Sequence, residues 1–197
     1  MTVLTRLASA VVVTGLLGVS MWLAYEKPHL DARLQDPLPN QGRFGRVVAN
    51  RVFGVQVDRV DVARSLAPAD PVVGRTSPPR QTPGIFVIVY LRVKSAQKPV
   101  SLGHVRLTTR DGLHYGESGR VGVPTKTSGT FEPMLWGRAS YLFEIPRDQL
   151  AGLHLIVGEG TLLNQLSAEA DIDLGISTRV AAGLLAHPAD AYRIREG

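Results

Sequence analysis

The hydrophobic pattern of this chain has three regimes. From Leu7 to Tyr25 the sequence LASAVVVTGLLGVSMWLAY runs nineteen residues without a charge. At about 1.5 Å rise per residue that makes a helix of about 28 Å, close to the hydrocarbon thickness of a bilayer. Residues 1–25 are therefore expected to form a single N-terminal transmembrane helix. Arg6 precedes it, Trp22 and Tyr25 fall where an interfacial aromatic belt would sit, and Glu26, Lys27 and Pro28 end it. A cleaved signal peptide is the alternative, with Val11 to Val19 as its apolar stretch, Gly18 and Ser20 as the small residues before the cut, and cleavage ahead of Met21. Both readings send the rest of the chain out of the cytoplasm. Ala10, Thr14 and Gly18 recur every four residues and form a small-residue seam that permits a second membrane helix to approach, hence self-association.

In the second regime, residues 26–45, Pro28, Pro37 and Pro39 stand among alternating charges with no sustained period, which reads as a spacer. From residue 46 to 176 the period becomes two, the signature of strands buried on one face. Phe53, Val55 and Val57 share a face, then Val60 and Val62 continue with parity changed, so a bulge is expected near Asp58 and Arg59. Five prolines between Ser65 and Gly84 remove too many amide donors for a helix or central strand, and residues 65–84 are expected as a loop. Ile85 to Val89 is apolar on both faces, as in a central strand, before alternation resumes through Leu91 and Val93. Val105, Leu107 and Thr109 alternate up to Asp111-Gly112, a hairpin signal. Only a three-residue loop, Arg110-Asp111-Gly112, keeps Leu113 opposite Thr109 and Tyr115 opposite Leu107, and it puts Gly112 at the left-handed position.

Beyond a Gly- and Thr-rich stretch, Tyr141, Phe143 and Ile145 point inward until Pro146 stops the strand, and Pro146 to Leu150 makes one helical turn. Leu153, Leu155 and Val157 give another strand, and Ala170, Ile172, Leu174 and Ile176 a last one. Seven or eight short strands joined by turns define an all-β, immunoglobulin-like two-sheet sandwich preceded by the membrane helix. Residues 177–197 form a C-terminal extension, expected as a final helix or strand that pairs with the sandwich or with another protein.

Composition narrows the function classes. The net charge of +5 comes from 22 basic residues dispersed among 17 acids, with no basic helix, arm or aromatic-studded RNA-binding motif, so nucleic acid is not an expected partner. The chain has no cysteine, which excludes disulfides, thiolate zinc sites, a catalytic thiol and a lipidated cysteine anchor.

Three groups of residues invite a chemical reading. Glu169, Asp171 and Asp173 share a face at spacing two, but no turn glycine or further oxygen cluster accompanies them, so an acidic face that discourages edge pairing is preferred to a calcium or magnesium site. His104 and His114 fall on the outer face of the hairpin near Asp111 without a nucleophile motif, and are read as solvated histidines. Phe131, Met134, Leu135 and Trp136 form an apolar cluster beside Gly137. It either plugs one end of the core or contacts a partner, because Trp and Met are favoured in interface cores. No catalytic residue, metal or cofactor is expected.

The stretches GIFVIVYLRVKS, VRLTTRDGLHYGES and FEPMLWGRASYLFEIPRDQLAGLHLIV resemble the membrane-anchored and lipoprotein-borne immunoglobulin-like domains of unknown function found in actinobacteria and other Gram-positive bacteria. They cover under half of the chain. Those domains often carry a Pro-Gly pair before the second-to-last strand; here Glu132-Pro133 is followed by Met134, with Gly137 later. The resemblance implies an extracytoplasmic interaction or accessory module and supplies no catalytic residues. The expectation is a non-enzymatic module held at the cell membrane by a single pass, with protein partners in the cell envelope. The alternative is a secreted protein, released by signal cleavage, that binds a cell-wall glycan or small ligand.

Overall fold

A computed structural model describes residues 15–22, 38–67, 78–119, 129–160 and 168–193. The chain divides into two units, Met1–Asp36 and Pro37–Gly197. Of the first, residues 15–22 are described; they are helical and exposed. Among the described residues no helix is long and apolar enough to cross a membrane, so the spanning helix expected over residues 1–25 has no counterpart there. Gly18 lies in this short helix, where an added Cβ would meet no described atom within 4 Å beyond the helix itself, while Ala10 and Thr14 lie outside the described residues.

The second unit is a two-sheet β-sandwich. Its strands are β1 (Leu38–Arg43), β2 (Val48–Ala49), β3 (Phe53–Leu66), β4 (Arg80–Ser95), β5 (Val100–Thr108), β6 (His114–Gly116), β7 (Thr130–Phe131), β8 (Gly137–Ile145), β9 (His154–Glu159) and β10 (Ala168–Asp173). One sheet has the order β1-β10-β9-β5-β6 with β7 attached to β5, and the other β2-β3-β4-β8. Pairing is antiparallel except between β1 and β10.

Period-two burial builds the core as the sequence dictates. Val55, Val57, Val87, Val89, Leu91, Tyr141 and Phe143 from one sheet meet Leu107, Leu155, Val157, Ala170 and Ile172 from the other, each at most 2% exposed. The bulge falls between Val57 and Arg59. The hairpin pairs Leu107 with Tyr115 and Thr108 with His114, closed by Gly112 N–H to Thr109 O at 3.0 Å with Gly112 at φ +78°. β4 is an inner strand flanked by β3 and β8, and Ile85 to Val89 is apolar on both faces because Ile85, Val87 and Val89 enter the main core while Phe86 and Ile88 enter a second apolar cluster on the outer face. A 3-10 turn over Arg147–Gln149 follows Pro146.

Three expectations are corrected. Residues 38–43, placed in the spacer, form β1: this strand lies at the sheet edge, pairs through its backbone with β10, and so shows no alternating apolar pattern. The proline-rich segment is shorter than residues 65–84, because β3 continues to Leu66 and β4 begins at Arg80; residues 68–77 lie outside the described residues. Pro83 fits within β4 because it falls in a register break, between Ala63↔Phe86 and Ser65↔Gln81, where no ladder amide is needed. Third, β10 is not an edge strand, so its acids do not serve to block edge pairing. The C-terminal extension takes the expected form of a final helix that packs on the sandwich. A helix, Thr178–Ala186, is capped by Ser177 Oγ accepting from Val180 N–H, and Ala181 enters the core.

After the helix the chain runs parallel to the end of β3, where the Arg64 and Ala67 amides donate to Ala189 and Tyr192 carbonyls at 2.8 and 2.9 Å. Ala189 and Tyr192 thereby pack on a second apolar cluster, Ala63, Leu66, Phe86, Ile88 and Leu142, on the outer face of the β4 sheet. This strap explains why Leu142, pointing away from the main core, is fully buried.

Candidate functional site

The register locates one end of the sandwich. Leu38 pairs with Ala168, Gly158 with Glu169, Glu159 with Leu102, and Val100 with Phe131. Ser95 and Phe53 close the other sheet at this same end. The loop joining β7 to β8 projects here. Phe131, at its base, is 2% exposed and belongs to the core, so the plug reading holds for this residue. Met134, Leu135 and Trp136 behave differently, being 73%, 66% and 40% exposed. The predicted cluster therefore splits into one buried anchor and a three-residue apolar tip.

Short-range bonds hold the tip in place. Pro133 bridges to Ser95, and the Met134 amide donates to Ser95 O at 3.2 Å. Ser95 in turn donates its hydroxyl to Lys98 O. Met134 sits at φ +62°, an uncommon conformation for a residue with a side chain, and these backbone bonds fix it there. Met134 thus takes a left-handed position that glycine adopts at no steric cost.

Cations surround the tip. Lys94 Nζ lies 5.0 Å from the Trp136 ring centroid and Arg92 Cζ 5.7 Å, within the range where a cation is attracted to an aromatic face. Arg138 pairs in register with Arg92, which places three cations on one face; Arg92 is also bound by Asp58, Nε to Oδ2 at 2.7 Å. The sequence reading found Trp136 but not Arg92, Lys94 and Arg138. The alternation of Arg92 and Lys94 was visible; that Arg138 stands beside Arg92 depends on the β4–β8 register.

The other candidates resolve into structural pairs. Glu169 is buried and bound by both terminal nitrogens of Arg106 at 3.1 Å. Asp171 meets His154 Nδ1 at 2.8 Å, and Asp173 caps the Gly175 amide. His154 was not singled out from sequence, because its partner lies on a neighbouring strand. His114 pairs with Thr108 Oγ1 at 3.0 Å. His104 lines a cleft of about 340 Å³ with Arg106, Glu117 and Tyr141. Among the described residues no three His, Asp or Glu side chains are placed to hold a metal ion. A shallow cleft of about 600 Å³ lies between Pro83, Gly84, Ile145 and Pro146, rimmed by Glu144, Arg147 and Asp148.

No protein-family model matches the chain, and no curated protein is significantly similar to it. Among solved structures it is similar to the secreted protein MPT63 of Mycobacterium tuberculosis, at 16% identity over 69% of this chain and 98% of that one, with a TM-score of 0.48. It is also similar to the yjhA protein of Bacillus subtilis (12% identity, 67% and 99% covered, TM-score 0.46). An uncharacterized β-sandwich protein of Clostridium difficile gives 10% identity, 69% and 95% covered, and a TM-score of 0.41. These are likenesses of shape at low identity, and the functional reading rests on the chain's own residues.

Proposed function

We propose that this protein is a non-enzymatic, immunoglobulin-like interaction module, anchored by its N-terminal segment and displayed outside the cytoplasm in a cell-envelope assembly. The supporting observation is the exposed tip Met134-Leu135-Trp136, pinned to Ser95 and with Lys94 and Arg92 beside the Trp136 ring. Exposed large apolar side chains clustered on a fixed loop lose hydration on contact without a large ordering cost, which is how a recognition surface works. The apolar run from Leu7 to Tyr25 supports the anchor.

The absence of native cysteine makes the topology simple to test. A single Gln97→Cys in the exposed turn before β5 is expected to react with a membrane-impermeant maleimide on intact cells, and the labelled protein to stay with membranes through carbonate extraction. Labelling only after lysis, or full release by carbonate, contradicts the reading. The cleft beside Pro83 and Pro146 favours the secreted, small-ligand alternative; a mature protein beginning at Met21 would support it.

A further inference from the structure

Resting on that anchored reading, we infer that the apolar tip docks on the anionic lipid surface beside the protein's own anchor. Three observations converge. First, the tip has the chemistry of an interfacial element: a tryptophan with two large apolar neighbours, exposed together, with Lys94 and Arg92 beside the indole. Tryptophan settles at the headgroup level, apolar residues enter the acyl boundary, and lysine and arginine meet lipid phosphates. Second, among the described residues at this end of the β4 sheet the charge is mainly positive: Arg51, Lys94, Lys98 and Arg138 stand against Glu132, with Arg92 and Asp58 paired to each other and Glu159 ending β9 on the facing sheet.

Third, the chain reaches the sandwich at this same end. β1 starts at Leu38, in the row that runs through Ala168, Glu159 and Val100 to Phe131. Residues 26–37 connect the apolar run to it, and twelve residues span at most about 40 Å however they are arranged. The tip is therefore confined to a shell around the anchor point. Confinement raises its effective concentration at the lipid surface, so a contact too weak to hold a free protein suffices for a tethered one.

The test uses the full chain carrying Trp22→Phe, so that Trp136 is the sole tryptophan. It is reconstituted into vesicles of phosphatidylcholine alone or with phosphatidylglycerol, and checked by carbonate extraction. In the anionic vesicles the Trp136 emission is expected to shift to the blue and to be quenched by lipids brominated in the upper acyl chain. Replacing Lys94 or Arg138 with Gln should lower the docked-to-free ratio about fivefold each, and Leu135→Ser should abolish the quenching. Leu113→Ser, at the far hairpin, should leave it unchanged. Retention of the protein in the vesicles with Trp136 unquenched overturns the docking alone, as does a photocrosslinker at Leu135 that captures protein and no lipid in cells. Release of the protein by carbonate overturns the anchored reading and the docking with it.

Discussion

Tyr192 and Tyr141 show how one residue type plays opposite parts. The Tyr192 hydroxyl donates to Asp61, lies 3.0 Å from the Tyr90 hydroxyl and accepts from Arg59 at 2.8 Å, while Arg59 stacks over Tyr90 at 4.5 Å and pairs with Asp61 at 2.5 Å. Among the described residues the buried Tyr141 hydroxyl has no hydrogen-bond partner. Tyr192→Phe is therefore expected to cost about 1 kcal/mol in urea unfolding, whereas Tyr141→Phe should be neutral or stabilise by up to about 1 kcal/mol. Burial pushes both phenols above their ordinary range, helped by hydrogen bonds to Asp61 and Tyr90 at Tyr192 and by the charge of Glu117 at Tyr141. A pKa raised by folding means the unfolded chain loses its proton first. Stability is thus unaffected by these groups below about pH 10, the ordinary phenol value, and falls as pH climbs above it. Alkaline denaturation curves should flatten in each of the two Phe variants.

At the scale of elements, three strands of the larger sheet are stapled by one ion pair. Arg106 on β5 reaches Glu169 on β10 across β9, and the Glu169 side chain lies against Gly158, the register partner of both His104 and Glu169. A Cβ at Gly158 would already stand 3.4 Å from Glu169, so a larger side chain there displaces the pair. Arg106→Met, which strands the buried carboxylate, should cost about 3 kcal/mol, and Arg106→Met with Glu169→Leu should recover most of it; a double-mutant cycle by urea unfolding measures the coupling. Gly158→Val should weaken the coupling without touching either charge.

None of this was legible in sequence, because Arg106 and Glu169 meet only through the strand order. The strands themselves were legible wherever one face is buried: β4, β5, β8 and β9 follow from alternation, and the hairpin register from Leu113 and Tyr115. β1 was not, because Leu38-Pro39-Asn40-Gln41-Gly42-Arg43 is held by backbone bonds and not by an apolar face. The exposed tip was half legible: the residue types pointed to it, but only the structure separates buried Phe131 from exposed Met134, Leu135 and Trp136.

On the scale of the whole molecule, the first and tenth strands are partners, and the C-terminal strap seals the outer face of the second sheet. Neither contact can form until nearly the whole chain is present. Folding measured by stopped-flow fluorescence is expected in the millisecond-to-second range typical of nonlocal β topologies. A chain ending at residue 167 should remain unfolded by circular dichroism. One ending at Ala186 should fold but bind a hydrophobic dye, as Phe86, Ile88 and Leu142 lose their cover, at a cost of about 2–4 kcal/mol.

The parallel pairing of β1 with β10 also decides how the domain bears load. Tension drawn through Leu38 at one end and through the residues after Asp173 at the other pulls the two strands along their length in opposite directions. Every hydrogen bond between them must then yield together, and none can be peeled ahead of the next. Under stretching, this sandwich is arranged to resist as a clasp in shear.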